Sequence, residues 1–132
     1  MSDVEEPRAK RVSWILMAVL YTLAGLNHFR DPGFYLRMMP PYLPWHEALV
    51  AISGVIEIAL GLALISSRAR PWAGLGIVLL LVAVFPANLQ MALRPEDFAD
   101  IPRVALYLRL PVQGLLIVWA WWATRPTKPT AS

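Results

Sequence analysis

From Ala48 to Ser66 the chain runs nineteen residues with a single charge, Glu57. At ~1.5 Å of rise per residue, a helix of that length crosses the ~30 Å hydrocarbon layer of a bilayer. A carboxyl group at that depth is costly whether charged or neutralised, so it needs polar neighbours. Ser53, Gly54, Glu57 and Gly61 fall on one helical stripe, with small residues above and below the acid where another helix can approach closely.

Three further apolar runs accompany this one. Hydrophobic residues make up 58% of the 132 and charged ones 16%, too little charge for a soluble domain. The expected fold is all-α, a four-transmembrane-helix bundle of one domain built as two hairpins. Spans are expected at about 12–29, 44–66, 72–93 and 102–124, flanked by tails at 1–11 and 125–132 that are expected to lack structure at the tip of the first and throughout the second. No small-residue cleavage site follows the first run, so it reads as a retained span. The chain has no cysteine, which excludes disulfides, thiol chemistry and iron–sulfur clusters on it.

The two long connections carry helix signals. Asp31-Pro32 reads as an N-cap followed by proline at the first helical position, and Pro40-Pro41 as a stop. Residues 33–39 between them predict two short interfacial turns with their aromatic side down. Pro95 is placed to open another short helix, and Pro44 to open the second span. A faint echo joins the halves: Asn27 precedes Arg30-Asp-Pro-Gly-Phe34, and Asn88 precedes Arg94-Pro-Glu-Asp-Phe98.

Basic residues predict the orientation. Arg8, Lys10, Arg11, Arg68, Arg70, Arg125 and Lys128 lie in the tails and the central turn, against Arg30, Arg37, Arg94 and Arg103 in the long connections. That bias places both termini in the cytoplasm and the long connections outside, and the net charge of +3 serves orientation rather than nucleic-acid binding. Trp14, Trp119, Trp121 and Trp122 fit an aromatic belt at the inner interface.

Counted from the span starts, the polar intramembrane residues gather in the outer half, leaving an inner half of Leu, Val, Ile and Ala. The candidate site is Glu57 as proton-carrying catalytic acid, with His28, Asn27, Asn88, Arg109 and Gln113 as ligand-binding groups. Each has a structural reading beside the functional one. Glu57 can hold helices together, Arg109 can snorkel to headgroups or reach down toward Glu57, and the amides can act as interhelical glue. His28 near an interface is ordinarily solvated, and nothing in the spacing of His28 and His46 supports haem ligation. Pro86 and Pro111 free carbonyls that neighbouring polar side chains can satisfy. No metal-ligand cluster, nucleophile–base pair or phosphate loop is present in the sequence.

Taken together, Gly25-Leu-Asn-His-Phe29 with Pro32, Met39-Pro-Pro41 with Pro44, Ser53-Gly54 with Glu57-Ile58 and Gly61, Phe85-Pro-Ala-Asn88, and Arg109-Leu-Pro-Val-Gln113 resemble the DoxX and DoxX-like family of small four-helix membrane proteins. The resemblance covers residues 12–124. It implies the same bundle architecture, a redox-associated setting in a bacterial inner (plasma) membrane, and a link to membrane quinones. Two expectations follow. One is an accessory subunit of a quinone-linked membrane oxidoreductase, with a quinone as the one cofactor considered, Glu57 as proton group, Arg109, Gln113 and His28 as donors, and Phe29, Phe85 and Trp45 as walls. The alternative is a non-catalytic scaffold or assembly factor for a partner protein. A small transporter would need the chain to dimerise, and self-association into a homo-oligomer stays open.

Overall fold

The computed structural model describes residues 5–127, so the outermost residues of both expected tails, Lys128 among them, lie outside the described residues. Within that range the chain forms five α-helices: α1 (Arg8–Arg30), α2 (Pro32–Met38), α3 (His46–Ala63), α4 (Arg70–Leu93) and α5 (Arg103–Thr124), with a 3-10 turn at Pro95–Phe98. The fold is all-α. Helices α1, α3, α4 and α5 are each long and apolar enough to cross a membrane. Leu23, Val55, Leu79 and Leu115 are each more than half exposed, one per long helix, as on a bundle bathed in lipid.

Helix boundaries depart from expectation in physically readable ways. The first helix begins at Arg8, capped by Pro7, which takes four residues from the expected tail. Proline 44 does not open α3. Trp45 stands at its N-cap in left-handed conformation (φ 55°, ψ 48°), and the helix starts at His46. Residue 57 is therefore eleven residues, or ~17 Å, from the start of α3. Pro71 opens α4 from its first turn instead of closing the preceding loop. At Asp31 the cap position is as expected, yet its side chain makes no capping bond; its backbone N–H donates to the Asn27 carbonyl.

Glycine decides how the first hairpin packs. A methyl at Gly25 would lie 2.7 Å from the Gly54 carbonyl oxygen, and one at Gly61 would lie 2.6 Å from Thr22 Oγ1. Thus α1 and α3 touch backbone to backbone along the small-residue stripe. The second hairpin, α4 with α5, closes where Gly74 sits beneath the Thr124 side chain. Between hairpins, Leu60 of α3 rests on Gly76 of α4, and Ser13 of α1 accepts a hydrogen bond from Trp119 Nε1 of α5 at 3.0 Å.

Both ends are plugged. Near the termini Met17, Leu64, Ile77 and Ala120 form a fully buried core. That half is not purely aliphatic, because buried Ser13 and Thr124 form side-chain hydrogen bonds within it. Tryptophans there hold cations: the Arg70 guanidinium lies 3.6 Å from the Trp14 ring and that of Arg125 4.0 Å from Trp121. At the opposite end Met38, Met91, Phe98 and Leu106 make a second core, with Phe34 and Tyr35 of α2 packed on it. Arg37 grips both Asp100 carboxylate oxygens (3.1 and 3.2 Å) and lies over the Phe34 and Phe98 rings. The two residues that end the repeated motif thus meet under one guanidinium.

Candidate functional site

A cavity of about 410 Å3 lies between the two hairpins, within the ~300–1,000 Å3 span of small-molecule sites. Glu57, His28, Asn88, Arg109 and Gln113 all line it. They form two separate groups, one on each hairpin.

The first wall belongs to α1 and α3. His28 is 9% exposed, and its Nε2 faces Glu57 Oε2 at 3.4 Å. His28 is therefore no solvated interfacial histidine. Its position three residues beyond Gly25 turns it onto the same close face of α1. Ser53 Oγ donates to the Val50 carbonyl at 2.9 Å and lies 3.4 Å from His28 Nδ1. A hydroxyl has one proton, so with Ser53 committed to Val50, Nδ1 is the donor in its contact with Ser53. Nε2 of a neutral ring then presents a lone pair to Glu57, and two lone pairs at this distance repel. A proton carried by either the acid or the ring would relieve that repulsion, and in either form the pair would have no net charge.

The second wall belongs to α4 and α5. Arg109 and Gln113, one turn apart on α5, both reach Asn88. Arg109 donates through Nε and Nη2 to Asn88 Oδ1 at 3.2 and 3.1 Å, and Asn88 Nδ2 donates to Gln113 Oε1. Gln113 Nε2 in turn donates to the Leu81 carbonyl, next to Val82, whose carbonyl loses its i+4 partner at Pro86. Arg109 thus neither snorkels away nor reaches Glu57. Among the described residues no carboxylate lies within ion-pair distance of it.

Asn27 is the candidate that does not line the cavity. It sits about 100° around α1 from His28 and donates instead to the Tyr35 hydroxyl at 2.8 Å. The aromatic walls expected at Phe29, Phe85 and Trp45 are absent from the lining, and these side chains are 50%, 42% and 77% exposed. His28 and His46 are committed elsewhere, the latter to the Pro40 carbonyl at 3.1 Å. Sequence reasoning missed Tyr35, which lines the cavity and packs edge-on against His28 with ring centroids 3.9 Å apart. The clue was the predicted aromatic underside of the 33–39 turns. It also missed Tyr21 and Trp119, whose lining positions depend on helix rotation.

A family model described as a domain of unknown function (DUF8561) matches residues 17–124. The chain belongs to that family. The matched segment contains the whole cavity lining and every candidate residue. No curated protein and no solved structure matches, and nothing in these comparisons links the family to DoxX.

Proposed function

We propose that this membrane protein is an accessory subunit of a quinone-linked oxidoreductase system and holds a quinone-like head group in the cavity between its hairpins. The observation that carries this reading is the pairing of unlike walls: an acid–imidazole pair, Glu57 with His28, faces a guanidinium that has no acidic partner among the described residues. A ring dicarbonyl needs an apolar slot and a donor at each oxygen. Arg109, with Nη1 uncommitted, serves one oxygen, and a proton carried by Glu57 or His28 serves the other. Electrons come from the partner oxidoreductase; the pair supplies one of the protons that accompany reduction. The DoxX-like order of motifs suggests the redox setting, and the bias of basic residues suggests a bacterial inner membrane with both termini in the cytoplasm.

Mass spectrometry of quinones carried through a mild-detergent purification tests occupancy. Glu57→Gln is expected to abolish quinone-dependent turnover of the partner system while the protein still accumulates. Unchanged turnover in that variant removes the proposal.

A scaffold or assembly factor is the second reading, and one observation favours it. Among the described residues Arg125 Nε is the one buried side-chain nitrogen or oxygen without a hydrogen-bond partner, so the polar set is nearly satisfied within the chain. This reading expects Glu57→Gln to be tolerated, while Glu57→Ala and Gly54→Leu lower accumulation. Co-purification of a protein partner with no bound small molecule would favour it.

A further inference from the structure

The cavity's boundaries show where a ligand larger than its head group would emerge. Toward the short-helix end, Tyr35, Met38 and Met39 cover it, and the Arg37–Asp100 pair holds α2 in place. Toward the termini, the core of Met17, Ile77 and Ala120 closes it. The α1–α3 side is sealed by backbone contact at Gly25 and Gly54, and the α4–α5 side by the Asn88–Gln113 bond. Between α3 and α4 the lining residues Ser53, Glu57, Leu80 and Val84 are each half-buried, above the Leu60–Gly76 contact. The α1–α5 seam is different. It is pinned by Ser13 and Trp119 near the termini, but farther along Leu20 and Val112 line the cavity while being 55% and 44% exposed.

Leu20 lies ten residues, or ~15 Å, from the Arg30 end of α1, and Val112 nine residues, or ~14 Å, from the Arg103 end of α5. Lining residues exposed at that depth face hydrocarbon rather than water. The rim of the seam is aliphatic, whereas the polar groups are inside.

We infer that the ligand's apolar tail leaves the bundle sideways between α1 and α5, past Leu20 and Val112, so that the site takes lipid-tailed molecules directly from the bilayer. The identity of the head group rests on the reading given under Proposed function; the tail path does not. An alkyl or isoprenoid chain fits this seam because burying each CH2 there costs no polar desolvation and the chain continues into lipid.

The test uses the full chain in phosphatidylcholine nanodiscs with two probes, decyl-benzoquinone and methyl-benzoquinone. Leu20→Trp and Val112→Trp fill the rim. Leu115→Trp, at a 69% exposed position of α5 outside the lining, is the control. The decyl probe should bind about five-fold more weakly to each rim variant, because the indole takes the tail's place and its packing contacts in the seam are lost, the lipid itself being as apolar as the seam. The methyl probe should bind all three as it binds the parent chain. Equal loss of both probes, or loss of neither, overturns the tail path. Photolabelling of the unmodified chain with a terminal-diazirine decyl-benzoquinone keeps the inference testable if a rim variant misfolds: label within residues 16–24 or 108–116 supports it, and label in α2 or residues 95–101 overturns it. Should neither benzoquinone bind, the quinone reading fails by itself. A diazirine fatty acid of similar length then decides the tail path by the same two labelling outcomes.

Discussion

Gly25→Ala is the most direct perturbation of the polar wall that never touches a polar group. The new methyl would meet the Gly54 carbonyl oxygen and Ile58 Cγ1 at 2.7 Å and the Ile58 nitrogen at 2.9 Å. Two of these three atoms belong to the backbone, so no rotamer change relieves them. Ordinary van der Waals contact begins near 3.4 Å, so α1 must withdraw from α3 by about 0.7 Å. Overpacking of that kind costs about 1–3 kcal/mol. The same displacement carries His28, on the same face of α1, away from Glu57, stretching their 3.4 Å separation toward ~4 Å and weakening their contact. Gly114 is the matched control, since a methyl there meets nothing within 4 Å. Unfolding in mixed detergent micelles should place Gly25→Ala about 2 kcal/mol below the parent chain, with Gly114→Ala within about 0.5 kcal/mol of it. Ligand retention should fall for the first variant alone. Equal stability of the two variants would refute the backbone-to-backbone packing on which the site's geometry depends.

Three other perturbations follow from the same contacts. Asn88→Leu removes the acceptor of Arg109 and the donor to Gln113 together; leaving the half-buried Arg109 guanidinium and the buried Gln113 Oε1 without that partner should cost about 2–4 kcal/mol in the same unfolding assay, and a loss under 1 kcal/mol would mean water replaces the amide. Arg70→Ala removes the stack on Trp14 and the 2.8 Å bond to the Leu64 carbonyl, and should cost about 2 kcal/mol, with Arg70→Lys recovering little because Lys cannot reproduce the fork. The Arg37 guanidinium holds the Asp100 carboxyl below the usual carboxylate range, chiefly by hydrogen bonding, while Asp100 and Asp31 raise Arg37 in return. A folded-state value below the unfolded one gives stability that is full above the ordinary carboxylate range and lost as pH falls through the lowered value. Amide exchange in α2 should therefore accelerate on acidification through that region, and Asp100→Asn should abolish the dependence; exchange that ignores both would show that the clasp does not hold α2.

What the sequence disclosed was set by whether the determining contact lies along one helix or between helices. Glu57 with Gly54 and Gly61 is a local pattern, since helical spacing alone puts them on one stripe, and the structure puts α1 against it. Arg109 with Gln113 is equally local. The partner of each was not legible. Glu57 meets His28 rather than Arg109 because the Gly25–Gly54 contact fixes the rotation of α1, a choice that takes a residue from each of two helices and so cannot be read from α3 by itself. Asn27 and His28 are sequence neighbours with opposite fates for the same reason: about 100° of helix rotation sends one to Tyr35 and the other into the cavity. Pro44 misled because a turn residue, Trp45, absorbs a left-handed conformation that a bulky side chain rarely adopts, and so delays the helix by two positions.

The acid–imidazole set and the amide–guanidinium set each interact within one hairpin, and this bears on how the site can work. Glu57, His28 and Ser53 interact within α1–α3, and Asn88, Arg109 and Gln113 within α4–α5, with no hydrogen bond or ion pair between the two sets among the described residues. The hairpins can therefore separate slightly without breaking a buried hydrogen bond between these sets, whereas rotation within a hairpin breaks several. A ligand bridging both walls would supply the polar contacts across the cavity that the chain itself omits. Binding should consequently raise the stability of the α1–α5 and α3–α4 seams more than that of either hairpin, because only the seams gain new contacts.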